Sequence, residues 1–293
     1  ADPTLFTVSN AGAVLAPRIV ALVLSRVGVS AYRLFLLGLT ASGAIDGGFD
    51  GNGWAEVTAA GIGTLRQHAS LAVDGIGRLY VLGDRTDPDA AGDYDSVLFR
   101  YHSDGSPDVS FGDGGTVILT AGPESLDLEP AGVAISADGF AVSLIRRSID
   151  QLLVHAYRTA TPASTAIRSQ RFVQAVAIQG DGRIVTAGEP AGGSDGFQLR
   201  RLTLGSDGAL LDDANFGAGG MASFDLDLGG SNTEEAGADV IWNGRPLVAG
   251  TAETATGTAG FLLRTNNAFV FADGFEQGTA AYWSDSTGVD FPQ

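Results

Sequence analysis

One stretch of the sequence is crowded with side chains that bind metals, residues 84–95 with the sequence DRTDPDAAGDYD. Carboxylate oxygens are the ligands that Ca²⁺ prefers, although the spacing is not that of the D-x-D-x-D-G loop with a later Glu. Two interpretations are open: a loop that holds Ca²⁺ as a cofactor, or a surface loop of solvated carboxylates, which is the default. The candidate metal ligands are Asp84, Asp87, Asp89, Asp93 and Asp95.

A second acidic loop is predicted further along the chain, with the same two interpretations. Its carboxylates are Asp225, Asp227, Glu234, Glu235 and Asp239.

Histidines and catalytic motifs do not indicate an active site. His68, His102 and His155 fall at different places in the pattern of the chain, so we predict no shared metal site; His155 alternates with apolar residues in LLVHAY and is predicted to be half-buried. The sequence has no G-x-S-x-G elbow, H-E-x-x-H motif, P-loop or dinucleotide fingerprint. We therefore predict neither catalytic nor cofactor-binding residues.

Arginines and tryptophans form two further groups of candidates. We predict a structural role for the arginines, which pair with the turn carboxylates Asp108 or Asp213. The tryptophans would stack on a sugar ring if they shared one rim of the fold. The arginines are Arg100, Arg200, Arg201 and Arg264, and the tryptophans are Trp54, Trp242 and Trp283.

Composition narrows the class of protein. The chain has 293 residues, 42 of them Gly, and a net charge of −17, and all 17 of its bases are Arg. So acidic a surface repels phosphate backbones and anionic lipid heads, which argues against nucleic acid and membrane surfaces as partners.

The longest apolar tract, residues 11–39, is interrupted by three arginines and a proline, so we predict buried strands there and no membrane span. There is no Cys to form a disulfide.

A block of thirteen residues recurs four times without a gap, and it predicts a β-hairpin. In each copy a short apolar run meets a turn that ends in Gly77, Gly139, Gly182 or Gly244, and a second apolar run follows. The copies are LAVDGIGRLYVLG at 71–83, VAISADGFAVSLI at 133–145, VAIQGDGRIVTAG at 176–188 and ADVIWNGRPLVAG at 238–250.

A second element lies between the hairpins, with Asp three residues before Phe and Gly four residues after it. We expect Asp to accept backbone N–H groups in a tight turn, Phe to fill the space between sheets and Gly to adopt a positive φ. The three copies are Asp46, Phe49 and Gly53; Asp108, Phe111 and Gly115; and Asp213, Phe216 and Gly220.

Together with residues 19–37, a degenerate first copy, these patterns give five repeats of about four strands. The predicted fold is an all-β, five-bladed β-propeller, with six blades as the alternative. We predict one propeller domain over residues 1–270 and a separate tail over 271–293. The segment LFTVSNAGAVL at 5–15 is predicted to complete the last blade beside FLLRT at 261–265.

The strings SDGSPDVSFGDGG and IQGDGRIVTAG resemble the delta-60 repeat of bacterial surface and secreted proteins, over about residues 40–265. The tail FADGFEQGTAAYWS at 271–284 resembles the D-G-F-E-x-G…W-S segment of secreted proteobacterial proteins. These resemblances imply a propeller-like fold and a secreted or cell-surface bacterial protein whose signal peptide has been removed. They imply no defined activity.

Two classes of function compete. The first is a non-catalytic secreted propeller that binds a protein or glycan partner or assembles with copies of itself. The alternative is a propeller-type polysaccharide hydrolase or lyase with inward carboxylates near a central channel. The predicted innermost strands at 133–135 and 176–178 carry no carboxylate, and only Asp74 and Asp239 come near, so we favour the first class.

Overall fold

Antiparallel β-strands make up all the regular structure of the described residues. Every ladder between strands is antiparallel and the described ranges contain no helix, so the all-β prediction is confirmed. Among these residues, accordingly, no helix is long and apolar enough to cross a membrane. The computed structural model describes residues 5–7, 18–28, 31–86, 94–119, 129–148, 151–157, 162–169, 171–179, 181–190, 197–224, 229–242, 246–254, 257–266 and 269–274.

The strands form five consecutive groups, which we number as repeats in chain order. The first repeat contains β1 (Leu5–Thr7), β2 (Arg18–Arg26), β3 (Tyr32–Thr40) and β4 (Trp54–Val57). The second contains β5 (Leu65–Val73), β6 (Leu79–Thr86), β7 (Tyr94–Tyr101) and β8 (Thr116–Leu119). The third contains β9 (Glu129–Ile135), β10 (Ala141–Ser148), β11 (Gln151–Tyr157) and β12 (Pro162–Ser169). The fourth contains β13 (Arg171–Ile178), β14 (Ile184–Glu189), β15 (Phe197–Leu204), β16 (Leu210–Asp212) and β17 (Met221–Phe224). The fifth contains β18 (Gly229–Trp242), β19 (Pro246–Thr254), β20 (Gly257–Asn266) and β21 (Phe269–Gly274).

Within each repeat, strands that follow one another along the chain lie side by side in the sheet. In the fourth repeat β15 pairs with both β16 and β17. The first two repeats share one sheet, joined where Tyr32 pairs with Leu65. The chain divides into two compact units: residues 1–169 with 180–182 and 203–211, and residues 170–179 with 183–202 and 212–293.

The core lies between the faces of successive sheets. In the N-terminal unit one cluster joins the first repeat to the second and another joins the second to the third; in the C-terminal unit a cluster joins the fourth to the fifth. Strand β6 therefore buries both of its faces, with Val81 and Leu82 each 0% exposed. Burial on both faces explains why the strands are continuously apolar in sequence and do not alternate.

The turns follow the sequence prediction. Gly77, Gly139 and Gly182 have φ of 92°, 81° and 83° and lie in the hairpins between the first and second strands of their repeats. These left-handed values favour glycine because it has no Cβ. Gly244 lies outside the described residues.

The N-terminal strand has a different partner from the one predicted. Strand β1 pairs with β2, with Leu5 opposite Leu24, and so completes the first repeat. Strand β20, which contains FLLRT, pairs with β19 on one edge and β21 on the other, so both of its edges are occupied. The prediction that the N-terminal segment completes the last blade is therefore wrong for residues 5–7, and residues 8–15 lie outside the described residues. The predicted domain boundary between residues 270 and 271 falls inside β21.

We expect Gly38→Ala to destabilise the fold. A Cβ on Gly38 would lie 2.5 Å from Cβ and Cγ of Phe49, a buried ring in the first core cluster. Overpacking of this kind costs about 2 kcal/mol in the free energy of unfolding, and urea titration measures it. Gly47→Ala is the control, because a Cβ there meets no atom within 4 Å; equal stability of the two variants would contradict the packing.

Candidate functional site

The Asp-to-Phe element of the second repeat is built around a buried ion pair. Arg100 Nε donates to Asp108 Oδ2 at 2.7 Å. Asp108 Oδ1 accepts the backbone N–H of Ser110 at 3.2 Å, which closes the turn. The guanidinium carbon of Arg100 lies 4.4 Å from the centre of the Phe111 ring. The predicted pairing of Arg100 with Asp108 is thus confirmed, and the paired arginine holds the Phe111 ring in place in the core between the sheets.

The fourth repeat builds the same arrangement. Arg201 Nε donates to Asp213 Oδ2 at 2.8 Å, and its guanidinium carbon lies 4.5 Å from the centre of the Phe216 ring. Asp213 Oδ1 accepts the backbone N–H of Asn215 at 3.0 Å. Arg183 Nε lies 2.9 Å from Asp213 Oδ2 as a second cation.

Of the other two arginine candidates, one has a different partner and one is not tested. Arg200, the neighbour of Arg201, pairs with Asp212, with Nη1 2.7 Å from Oδ1. The side chain of Arg264 lies outside the described residues. The prediction for the four arginines is therefore confirmed for Arg100 and Arg201 only.

In the first repeat, the arginine that pairs with the turn aspartate comes from a different strand. Gly38 occupies the position of the arginine, since its carbonyl accepts the N–H of Asp46 as the carbonyl of Arg100 accepts that of Asp108. The cation is Arg18 on β2, whose Nε donates to Asp46 Oδ2 at 2.6 Å and whose guanidinium carbon lies 5.4 Å from the centre of the Phe49 ring.

The electrostatics of these turns favour a permanently charged carboxylate. Desolvation raises the pKa of Asp108, but the hydrogen bonds from Ser110 and Arg100 outweigh it and bring that pKa below its ordinary value. Desolvation likewise raises the pKa of Asp213, and the Asn215 N–H together with Arg201 outweighs it. Such groups are ionised at neutral pH and do not serve as general acids.

The first and last carboxylates of the acidic loop at 84–95 are held by cations. Asp84 is 0% exposed; its Oδ1 accepts the backbone N–H of His68 at 3.1 Å, and its Oδ2 lies 3.0 Å from His68 Nδ1 and 3.4 Å from Arg66 Nη1. Asp95 Oδ2 accepts hydrogen bonds from Nε and Nη2 of Arg85 at 3.1 and 2.8 Å. Arg85 lies directly opposite Asp95 in the sheet, so this pair closes the base of the loop.

The calcium hypothesis stays a prediction. Asp87, Asp89 and Asp93 lie outside the described residues, and within the described ranges no three His, Asp or Glu side chains are grouped as metal ligands. In the second acidic stretch, Glu234, Glu235 and Asp239 belong to strand β18 where a loop was predicted; their side chains, like all of Asp225 and Asp227, lie outside the description.

The histidines lie in three unrelated surroundings. His68 contacts Asp84, and His102 has an exposed side chain 3.9 Å from Asp108 Oδ1. His155 is only 4% exposed and lies beside Tyr157, so the prediction of half-burial was too low. Desolvation lowers the pKa of His155 to about 4.

Asp74, the candidate acid or base of the polysaccharide-cleaving alternative, caps a hairpin. It is 5% exposed; its Oδ1 accepts the N–H groups of Ile76 and Arg78 at 3.1 and 2.8 Å, and its Oδ2 accepts Arg78 Nε at 2.6 Å. The side chain of Asp239, the other candidate, lies outside the description.

Among the tryptophans, Trp54 is exposed at the start of β4, with 36% of its surface accessible. The side chain of Trp242 and all of Trp283 lie outside the described residues, so a shared rim stays a prediction.

A groove of about 730 Å³ lies in the N-terminal unit. Its described lining is small or apolar apart from Thr116 and Asp113, and Asp113 is the ionisable residue among them. The described lining residues are Ala59, Ala60, Gly61, Ile62, Gly112, Asp113, Gly114, Thr116, Val117 and Ile118.

Sequence reasoning missed the cations that come from distant strands. Arg18 lies 28 residues from Asp46 and Arg66 lies 18 residues from Asp84. One signal was available: Gly38 stands where the aligned repeats carry Arg100 and Arg201, which leaves Asp46 in need of another cation.

Comparison with known proteins gives a partial family match. Residues 77–111 match a family described as a domain of unknown function (DUF5122) beta-propeller. This match supports the predicted propeller-type repeat. No curated protein matches.

Two solved structures are similar at low identity. The major allergen Mala s 1 of Malassezia sympodialis is 12% identical, with a TM-score of 0.47 over 87% of this chain and 75% of that one. A mannose phosphorylase from Leishmania mexicana, in complex with phosphate ion, is 12% identical, with a TM-score of 0.30 over 88% and 78%.

Removing one partner of the buried pair should destabilise the protein far more than the same change at an exposed pair. Asp108→Asn leaves the Arg100 guanidinium buried beside a neutral amide, and we expect a loss of about 3 kcal/mol in the free energy of unfolding. Glu56→Gln at the exposed Arg33–Glu56 pair is the control, with an expected loss below about 1 kcal/mol. Chemical denaturation measures both; similar losses would contradict a buried, structural Asp108.

His155 should make the fold acid-sensitive. Its pKa is about 4 in the fold against an ordinary value of 6.5, so the unfolded chain binds the proton more tightly. Its contribution to stability is present above pH 6.5 and is lost as the pH falls toward 4, by about 3 kcal/mol in all. Denaturation at several pH values should show a shallower acid loss in His155→Gln than in wild type. His102→Gln, the same change at an exposed site, is the matched substitution. A wild-type pH profile in His155→Gln would refute the assignment.

Proposed function

We propose that this chain is a non-catalytic β-propeller that acts as a binding or assembly module, with a protein, a glycan or a second copy of itself as its partner. One observation carries the proposal: five buried aspartates of the described residues are all engaged by arginines or backbone N–H groups. They are Asp74, Asp84, Asp95, Asp108 and Asp213.

Cleavage of a glycosidic bond requires a carboxyl group with a raised pKa, whereas the carboxyl groups of the recurring turns have lowered pKa values. A glycoside hydrolase uses two carboxylates, one of which has a raised pKa so that it can donate a proton. The pKa values of Asp108 and Asp213 are lowered, and Asp74 is committed to its hairpin. We therefore prefer the binding module to the polysaccharide hydrolase or lyase.

The proposal includes the number of blades and the location of the protein. We take the five repeats as five blades. The match of residues 77–111 to a propeller family supports the propeller-type repeat. We also propose that the protein is secreted or displayed on a bacterial cell surface. The resemblances to delta-60 repeats and to the D-G-F-E-x-G…W-S segment of secreted proteobacterial proteins support this location.

The test is incubation of the full chain with a panel of insoluble bacterial and plant polysaccharides, in which retained protein and released reducing ends are scored together. We expect no release from any polysaccharide, since the five buried aspartates are already engaged by arginines or backbone N–H groups. We expect retention by at least one polysaccharide, or a rise in mass with concentration in light scattering. Heat-unfolded protein is the control for non-specific retention. Reducing ends that increase with protein concentration would overturn the proposal.

A further inference from the structure

An exposed cluster on the first repeat has the composition of a sugar-binding surface. We propose that Trp54, Phe35, Arg33 and Glu56 form a binding site for neutral saccharides. This inference rests on the proposed function, because it names the ligand class of a non-catalytic binding module.

The aromatic part of the site is held in place before any ligand arrives. The backbone N–H of Trp54 donates to Asn52 Oδ1 at 2.8 Å, and Trp54 pairs with Leu37 in the ladder between β4 and β3. Its indole meets the ring of Phe35 edge-on, with ring centres 6.3 Å apart and planes at 87°. Trp54 nevertheless keeps 36% of its surface accessible, so a flat ligand can reach the indole.

A charged pair lies beside the rings on the same face of the sheet. Arg33 Nε donates to Glu56 Oε1 at 2.7 Å, and Nη2 donates to Oε2, while the guanidinium carbon lies 5.1 Å from the centre of the Phe35 ring. Phe35 pairs with Glu56 across the ladder, and residues two apart on a strand share a face. The side chains of Arg33 and Glu56 stay 52% and 37% exposed, so both still have access to a ligand.

The aromatic rings and the charged pair match the two kinds of surface on a pyranose, its apolar C–H face and its hydroxyl groups. The C–H face of the ring packs on an aromatic surface, and the hydroxyl groups accept from a guanidinium and donate to a carboxylate. The pair itself carries no net charge, and the chain has a net charge of −17, so an acidic saccharide would be repelled. A neutral saccharide is the ligand class that the charges favour.

The repeat fold does not require these four side chains. When Gly38 is aligned with Arg100, the matching positions of the second repeat hold Asp95, Val97, Thr116 and Ile118. Val97 is 0% exposed because it belongs to the core cluster between the first two repeats, Thr116 is 6% exposed, Ile118 is 42% exposed, and Asp95 pairs with Arg85 on the neighbouring strand. The second repeat therefore has no aromatic ring and no arginine–glutamate pair at these positions, so the shared architecture does not require them.

Preorganisation makes the site testable by single substitutions. Because the rings and the ion pair already hold one another, little side-chain freedom remains to be lost on binding. Truncation of the indole removes the stacking surface, and we expect affinity to fall at least about tenfold in Trp54→Ala. Trp54→Phe should keep part of the affinity, and Arg33→Ala should weaken binding without a large change in stability.

The experiment titrates the full chain with neutral oligosaccharides of the cellulose, mannan, xylan and starch types, and with an oligogalacturonate as the acidic probe. Calorimetry gives the affinities. Two-dimensional NMR follows the indole N–H of Trp54, assigned by its absence in Trp54→Phe, so wild-type protein reports on the site even if Trp54→Ala does not fold. Val109→Ala, a truncation at a 72% exposed position of the second repeat, is the matched control.

We expect at least one neutral probe to bind, to shift the Trp54 indole signal and to lose affinity in Trp54→Ala but not in Val109→Ala. Binding of a neutral probe without a shift of the Trp54 indole signal would overturn this site and leave the proposed function standing. Tighter binding of the acidic probe than of the neutral probes would do the same. No binding to any neutral probe would overturn the saccharide site as well. Release of reducing ends from a probe would overturn the proposed function itself.

Discussion

The stacking of the second repeat between the first and the third is the constraint on which the rest of this structure depends. A strand such as β6 has no face that opens to water, so its side chains must be apolar or must be neutralised within the protein. The buried arginines meet this condition because each has a carboxylate beside it. A guanidinium left alone there would carry the full cost of desolvation.

The recurring turn meets the constraint with a fixed set of contacts. Its aspartate binds a cation and a backbone N–H, the cation lies over a phenylalanine, and the phenylalanine fills the gap to the next sheet. The first repeat keeps the contact although the arginine position on β3 is Gly38, because Arg18 supplies the cation from β2. What the fold retains is therefore the arrangement of charge and ring, while the strand that provides the charge can change.

Sequence reasoning predicted the parts of this structure that depend on residues close together in the sequence. The turn aspartates and glycines repeat at fixed spacing within their elements, and Arg100 lies only eight residues from Asp108, so alignment of the repeats reveals them. The partner of β1 and the Arg66 contact with Asp84 depend on which distant strands meet, and no local pattern encodes that. His155 was placed too near the surface because alternation in LLVHAY suggests one wet face, whereas Val154 and His155 are both buried.

The joint between the first two repeats has a consequence for the order in which the chain acquires structure. The ring of Phe49 lies against Gly105, the N–H of Asp50 donates to the carbonyl of Asp104, and Arg18 Nη1 donates to the carbonyl of Ser103. During synthesis the residues of the first repeat leave the ribosome well before those of the 103–105 turn. Until that turn emerges, the ring of Phe49 lacks its contact with Gly105, and Arg18 lacks the carbonyl of Ser103 as an acceptor. The native surroundings of this ring and this arginine are therefore complete only when the chain has been made as far as the second repeat.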